Sequence, residues 1–136
     1  MKVAVAGAGA VGRSIARELL DSDHQVTLIE RNPEHVDTED IADAQWHLGD
    51  ACELSLLESV HLESFDVVIA ATGDDKANVV LSLLAKTEFA VPRVVARVND
   101  PRNEWLFTDA WGVDVAVSTP RMLASLVEEA VAVGDL

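Results

Sequence analysis

A glycine-rich stretch near the N-terminus constrains the fold of this chain more than any other feature. Residues 2–31 contain an apolar strand, the turn GAGAVG, a helix, and a second strand that ends at the acidic residue Glu30. This is the layout of a dinucleotide-binding βαβ unit. The strand before the glycines and the helix after them make the motif more specific than the glycine spacing alone. The stretch predicts a nucleotide site, and the alternative is that the glycines serve only close helix–sheet packing.

Each part of the glycine turn has a separate predicted task. Gly7 permits the tight turn out of the first strand, and Gly9 lets the backbone approach a pyrophosphate because it has no Cβ. Gly12 lets the following helix pack tightly on the sheet. That helix begins near Ala10 and Val11, so its free N–H groups and the positive end of its dipole face the phosphates.

Three charged residues near this turn are candidate ligand contacts. Glu30 ends the second strand, where its carboxylate can accept hydrogen bonds from ribose hydroxyls. Arg31 is close enough to meet a ribose 2′-phosphate, which Glu30 would repel, so the choice between NADH and NADPH stays open and Glu30 favours the unphosphorylated ribose. Arg13, in the first helical turn, either contacts a phosphate or points outward.

Short β-branched runs alternate with helical patterns along the whole chain. The strands are nearly continuously apolar, as expected when helices cover both faces of a parallel sheet. We therefore predict an α/β fold, a Rossmann doubly wound six-stranded parallel sheet in the order 3-2-1-4-5-6. The predicted strands lie at about 2–6, 25–30, 45–48, 66–71, 93–98 and 114–117, and the helices at about 11–21, 33–42, 53–60, 75–88, 102–110 and 120–132.

Ligands of such sheets bind at the carboxyl ends of the strands, so residues that follow other strands are further candidates. Asp50 follows the third strand and either accepts a hydrogen bond from an adenine amino group or caps the helix that starts near Glu53. Thr72 and Gly73 follow the fourth strand and can touch the ribose or pyrophosphate. We interpret Cys52 as a buried residue that fills space, since no His or acidic neighbour is arranged to make it a nucleophile.

Two charged positions at the same edge have open interpretations. Asp74 or Asp75 caps the helix after the fourth strand. Arg97, at the end of the fifth strand, needs a partner because it stands among apolar residues. A phosphate group and a salt bridge to a nearby aspartate are equally good partners at this stage.

Composition narrows the class of protein. The 136 residues suit one domain, and the formal net charge of −14 argues against nucleic acid as a partner. No apolar run is long enough to span a bilayer, so we expect no direct membrane insertion. The single cysteine and the strand that begins at residue 2 fit a cytoplasmic protein without a signal peptide. The final helix, at about 120–132, carries two apolar stripes, so we expect it to pack on another subunit or domain.

Taken together, these motifs resemble a known family, the N-terminal nucleotide-binding domain of Trk-type potassium-uptake regulators, also called the RCK, KTN or TrkA-N domain. The resemblance covers nearly the whole chain. The matching segments are GAGAVGR at 7–13, ERNP at 30–33, GDA at 49–51, ATGDD at 71–75 with Asn78, ARV at 96–98 and GVDVAVSTP at 112–120.

The resemblance implies a function and a set of contacts. It implies a cytoplasmic regulatory subunit that binds NAD(H), or in some members ATP or ADP. Dimers or higher rings of such subunits lie beneath a potassium-transporting membrane protein, peripheral to the inner face of the membrane. The residues that would contact the nucleotide are Gly7, Gly9, Ala10, Val11, Gly12, Arg13, Glu30, Arg31, Asp50, Ala51, Thr72, Gly73, Asp74 and Arg97.

The chain also departs from the family pattern. Many members carry an acidic residue where Lys76 stands. Calcium-gated members have acidic residues near the positions of Arg97 and Asn99, which argues against calcium regulation through that site. The usual C-terminal regulatory domain does not follow within 136 residues, so we expect the chain to be truncated or that domain to be supplied separately.

Two functional hypotheses follow. The favoured one is a sensor without enzymatic activity, because the nucleotide fold takes up the chain and no Lys/His, Tyr/Lys or Ser/His/Asp arrangement stands out. The alternative is the cofactor-binding fragment of an NAD(P)-dependent oxidoreductase.

Overall fold

The computed structural model describes residues 1–134, which form six strands and four α-helices. The strands join in one parallel sheet in the order β3-β2-β1-β4-β5-β6, which confirms the predicted topology. The strands are β1 (Lys2–Ala6), β2 (Gln25–Glu30), β3 (Gln45–Leu48), β4 (Val67–Ala70), β5 (Arg93–Val98) and β6 (Val115–Ser118). The helices are α1 (Ala10–Asp21), α2 (Leu54–Val60), α3 (Asp75–Thr87) and α4 (Thr119–Gly134).

The central strand β1 separates two hydrophobic cores. Val3 and Val5 belong to the core that α1 covers, while Ala4 and Ala6 belong to the core under α2 and α3. This alternation follows from the two-residue period of a strand. Helices therefore lie on both faces of the sheet, as predicted.

The predicted helix at 33–42 is wrong. The structure has a single 3₁₀ turn, Pro33–His35, after which Val36 returns to extended backbone. The Asp37 carboxylate then accepts hydrogen bonds from the Glu39 and Asp40 N–H groups. Such local bonds compete with helix formation, which explains why proline and an acidic run did not continue as a helix.

The predicted helix at 102–110 is also wrong, because it is replaced by two short 3₁₀ helices. These are Pro101–Leu106 and Asp109–Trp111. Between them, the Phe107 side chain is buried at 6% exposure. Gly112 then reverses the chain with a φ of 83°. Burying Phe107 fixes the break in the helix.

Helix α4 presents an apolar stripe to solvent. Four residues along it are between 57% and 60% exposed, namely Leu123, Leu126, Val127 and Val131. The side chain of Met122, another apolar residue of this helix, is not among those described, and Asp135 and Leu136 lie outside the described residues. Over the part of the chain that the structure describes, no helix has the length and apolar character needed to cross a membrane.

Candidate nucleotide-binding cleft

A cleft of about 450 Å³ opens at the carboxyl edge of the sheet, beside the junction of β1 and β4. At that junction the strand order reverses, and ligands of doubly wound sheets bind at such switch points. The volume lies in the range of small-molecule sites. The lining residues are Gly7, Gly9, Ile29, Glu30, Arg31, Asn32, His35, Gly49, Asp50, Ala51, Cys52, Ala71, Thr72, Gly73, Asp74, Ala77, Leu81 and Arg97.

The three motif glycines serve different purposes in this geometry. Gly7 has a φ of +100°, and a Cβ there would lie 2.7 Å from the Ala71 carbonyl oxygen. A Cβ on Gly12 would overlap the carbonyl oxygen of Gly7. A Cβ on Gly9, in contrast, would meet no atom within 4 Å. Gly7 and Gly12 are thus required by the fold, while Gly9 leaves open space at the cleft.

The first turn of α1 begins beside that open space. Gly9 is its N-cap and supplies no capping side chain, so the N–H groups of Ala10 and Val11 lack a side-chain partner. Ala10, Val11 and Gly12 do not line the cleft with side chains. Their predicted contacts therefore depend on backbone N–H groups alone.

Arg13 is not among the residues that line the cleft. Its Nη2 donates a hydrogen bond to the His35 carbonyl oxygen at 2.8 Å, and its Nη1 lies 3.4 Å from an Asp40 oxygen. The side chain thus ties α1 to the irregular segment that replaces the predicted second helix. The structure shows Arg13 in contact with protein, and its predicted phosphate contact remains a prediction.

Glu30 has two backbone partners in the structure. Its Oε1 accepts a hydrogen bond from the Ala8 N–H at 2.8 Å, and its Oε2 accepts one from the Asn32 N–H at 2.9 Å. Burial alone would raise the pKa of the carboxyl, but the bonds from Asn32 and Ala8, aided by the charge of His35, lower it. Each oxygen retains a further lone pair. The predicted ribose contact remains a prediction.

The β4 and β5 ends form the opposite wall. Thr72 lies at this wall, and its Oγ1 donates to Asn78 Oδ1 at 2.6 Å. The Arg97 side chain lines the cleft, and within residues 1–134 its guanidinium has no hydrogen-bond or ion-pair partner. The predicted alternative of a salt bridge to a nearby aspartate is therefore not formed among these residues. An arginine left without a carboxylate partner is suited to a phosphate.

The β3 end contributes a polar turn and a neutral thiol. Asp50 Oδ1 accepts a hydrogen bond from the Cys52 N–H at 2.8 Å, whereas the N-cap of α2 is Glu53. Asp50 therefore does not cap that helix. Burial, with the nearby charge of Asp50, raises the pKa of Cys52 to about 11. Cys52 is a thiol at neutral pH and is not an activated nucleophile.

Asp74, rather than Asp75, caps α3. Its Oδ1 accepts hydrogen bonds from the N–H groups of Lys76 and Ala77 at 2.9 and 3.3 Å. Gly73 precedes it, and a Cβ on Gly73 would meet no atom within 4 Å. Ala51 lines the cleft from a buried position. The structure thus brings ten of the fourteen predicted residues to one cleft, leaving out Ala10, Val11, Gly12 and Arg13.

Some lining residues were missed by sequence reasoning. His35 reaches the cleft because the chain makes only one 3₁₀ turn after Asn32, whereas the predicted helix would have continued past it. Ala77 and Leu81 lie one turn apart on α3 and face the cleft. Their four-residue spacing was visible in the sequence, but nothing there distinguished a cleft wall from core packing.

A doubly wound parallel sheet with a glycine turn at its switch point defines a Rossmann-type domain. Comparison with known sequences then makes the class specific, since the profile of the TrkA-N domain matches residues 3–119. The chain belongs to the TrkA-N domain family.

Two curated relatives show how much of a longer protein this chain represents. It is 82% identical over all 136 residues to the Trk system potassium uptake protein TrkA of Mycobacterium tuberculosis, and covers 62% of that protein. It is 33% identical over 130 residues to a TrkA homolog of Methanothermobacter thermautotrophicus, covering 95% of this chain and 59% of the homolog. The chain therefore spans about three fifths of these relatives.

Solved structures share the fold. The TrkA-N domain of the inner membrane protein YbaL from Escherichia coli matches with a TM-score of 0.83 at 21% identity, covering 94% of both chains. GsuK bound to ADP matches with a TM-score of 0.78 at 26% identity, covering 93% of this chain and 32% of the GsuK chain. The GsuK channel bound to NAD matches with a TM-score of 0.74 at 19% identity, covering 85% of this chain and 21% of the channel.

Proposed function

We propose that this domain binds an adenine nucleotide, NAD(H) in first place and ATP or ADP as alternatives. The observation that carries the proposal is the open space over Gly9, which lies at the uncapped first turn of α1. A phosphate in that space would accept hydrogen bonds from the backbone N–H groups of Ala10 and Val11. Arg97 would supply positive charge from the opposite wall.

The rest of the cleft fits the other parts of such a ligand. Glu30 lies where a ribose would follow the phosphates, and its remaining lone pairs can accept from two hydroxyls. Ala51 and Leu81 offer apolar contacts to an adenine ring, and Asp50 offers an acceptor for its amino group. GsuK, a structural neighbour at 26% identity, is bound to ADP, which supports an adenosine diphosphate group as part of the ligand.

At the level of the longer protein, we propose a regulatory subunit of a potassium transport system. The TrkA name of the 82% identical relative supports this role. The domain would act at the cytoplasmic face of the membrane through a transporter partner. It would act as a sensor rather than an enzyme. A nucleotide that binds one geometry of the assembly more tightly than another would shift the population between the two geometries.

Titration calorimetry of the purified protein with NADH, NAD, NADPH, ATP and ADP tests the proposal. Preference for NADH over NADPH would support Glu30 as the ribose partner. Preference for ATP or ADP would retain the cleft but make the protein a sensor of energy charge. Absence of binding by all five would overturn the nucleotide site, and consumption of NADH with added ketones or imines would favour the oxidoreductase alternative.

Gly9→Val is expected to abolish nucleotide binding while the domain stays folded. The backbone at Gly9 has φ −75° and ψ −168°, which valine can adopt, and the new side chain would project into open space. Thermal melting should change little, and the calorimetric signal with NADH should disappear.

Ser14→Val is a matched control, because Ser14 is exposed on α1 and does not line the cleft. Unchanged NADH affinity in a folded Gly9→Val protein would mean that the ligand does not lie over the glycine turn.

A further inference from the structure

Asn78 joins two walls of the cleft from inside the protein. It lies on α3 and is fully buried, at 0% exposure. Its Oδ1 accepts hydrogen bonds from the Thr72 N–H at 3.0 Å and the Thr72 hydroxyl at 2.6 Å. Its Nδ2 donates to the Thr72 carbonyl oxygen at 3.0 Å and to the Arg97 carbonyl oxygen at 2.9 Å. One amide thus holds the end of β4 and the end of β5 together.

Asp75 reinforces this connection on the far side of Arg97. Its Oδ1 accepts from the Asn99 N–H at 2.6 Å, and its Oδ2 accepts from the Asp100 N–H at 2.9 Å. The Asn99 side chain also donates to the Thr72 carbonyl oxygen at 2.9 Å. The first turn of α3 therefore holds the backbone at and after Arg97.

The Arg97 guanidinium itself is held by none of these bonds. Among residues 1–134 it pairs with no carboxylate, and it projects into the cleft. Its reach therefore depends on where the backbone of β5 ends, and Asn78 is the side chain that binds the carbonyl oxygen of Arg97 itself. A buried amide with all its partners satisfied favours one geometry strongly, since any other leaves polar groups unpaired.

We propose that Asn78 is a positioning residue of the nucleotide site, which sets Arg97 and Thr72 at the distance that a ligand phosphate requires. This inference rests on the proposed nucleotide function. The alternative role for Asn78 is a satisfied core amide that contributes to stability alone. The two roles differ in whether its loss affects the phosphate contact selectively.

A double-mutant cycle with Asn78→Ala and Arg97→Gln separates these roles, with ADP and adenosine as the two ligands in calorimetric titrations. Loss of a charge-assisted phosphate contact is expected to weaken ADP binding about tenfold in Asn78→Ala, and adenosine binding by less than about twofold. In the Arg97→Gln background, Asn78→Ala should add little further loss, because coupled residues are not additive.

Ser82→Ala is the matched control. Ser82 is also fully buried on α3, one turn after Asn78, and its hydroxyl donates to the Asn78 carbonyl oxygen without reaching the cleft. It should leave the ratio of ADP to adenosine affinity unchanged. Where Asn78→Ala does not fold, the nearly isosteric Asn78→Asp replaces it, since it removes the donor to the Arg97 and Thr72 carbonyl oxygens and keeps the acceptor for the Thr72 N–H and hydroxyl.

Three results would overturn the inference while leaving the proposed function standing. They are equal losses of ADP and adenosine affinity, full additivity of the two substitutions, and wild-type ADP affinity in Arg97→Gln. Failure of the unmodified protein to bind ADP, NADH or adenosine would instead overturn the proposed function itself.

Discussion

Glu30 illustrates how a single carboxylate belongs both to the fold and to the cleft. Its position after β2 was predicted from the spacing of the glycine motif. Its bond to the Ala8 N–H was not predicted, because nothing in the sequence shows which way that N–H points. With only 12% of its side chain exposed, Glu30 braces the glycine turn against β2. Substitutions at Glu30 will therefore affect stability as well as any ribose contact.

Glu30→Gln is expected to lower the free energy of unfolding at neutral pH by about 1–3 kcal/mol, because one amide oxygen cannot replace two carboxylate oxygens. The folded state lowers the pKa of Glu30 from its ordinary 4.5, so the carboxylate contributes its full stability above that value. The contribution is lost as pH falls through the folded pKa. The difference between wild type and variant should narrow over that acidic range in urea unfolding curves.

If the difference in free energy of unfolding between wild type and Glu30→Gln stays constant or widens on acidification, the stabilising role of the Glu30 carboxylate is contradicted. Glu34→Gln is the control, since Glu34 is exposed nearby and its carboxylate accepts no hydrogen bond among the described residues. Its free energy of unfolding should match that of wild type at each pH.

At the scale of elements, prediction succeeded where a segment forms its bonds within the sheet or a long helix. Residues 3–6 of β1 are apolar on both faces of the sheet, and the six strands were all found to within one residue of their ends. Prediction failed at 33–42 and 102–110, where side-chain bonds from Asp37 and burial of Phe107 decide the backbone. The Asp37 bonds are local alternatives to helical bonds, which an apolar pattern does not register, whereas the burial of Phe107 depends on tertiary contacts.

Helix α4 is the element with most apolar surface left uncovered. Its stripe recurs at three- and four-residue intervals, and the helix packs on the rest of the domain mainly through β6. A second copy of the chain would bury that stripe, and the homodimer or higher ring expected from the family resemblance remains a prediction.

Leu126→Glu is expected to shift the protein from dimer to monomer by sedimentation velocity, because it puts a charge in the middle of the stripe. Ser125→Glu adds the same charge on the opposite side of α4 and should leave the dimer intact. A wild-type protein that sediments as a monomer, or a Leu126→Glu dimer of unchanged strength, would remove α4 from the interface.

The whole molecule carries 24 acidic and 10 basic side chains. Among residues 1–134, five of the ten basic residues pair with carboxylates, and two of the other five, Arg31 and Arg97, line the cleft. The cleft therefore has two arginines available to a phosphate, beside the carboxylates of Glu30, Asp50 and Asp74. The remaining surface is acidic and repels itself.

Raising the ionic strength from about 10 mM to about 150 mM is expected to raise the melting temperature by a few degrees, because the Debye length falls from about 30 Å to about 8 Å. Scanning calorimetry at neutral pH measures this shift. The shift should vanish near the isoelectric point of about 4.4, where the net charge is close to zero. A melting temperature that falls with salt would mean that ion pairs outweigh self-repulsion.

Gly9 and Gly12 lie three residues apart in one turn, but the fold leaves room for a side chain only at Gly9. A library of substitutions selected only for folded, abundant protein should accept many side chains at Gly9, where no atom lies within 4 Å of an added Cβ, and reject them at Gly12. A library selected for the proposed binding of NADH should be intolerant at both. The difference between the two tolerance maps would outline the binding surface.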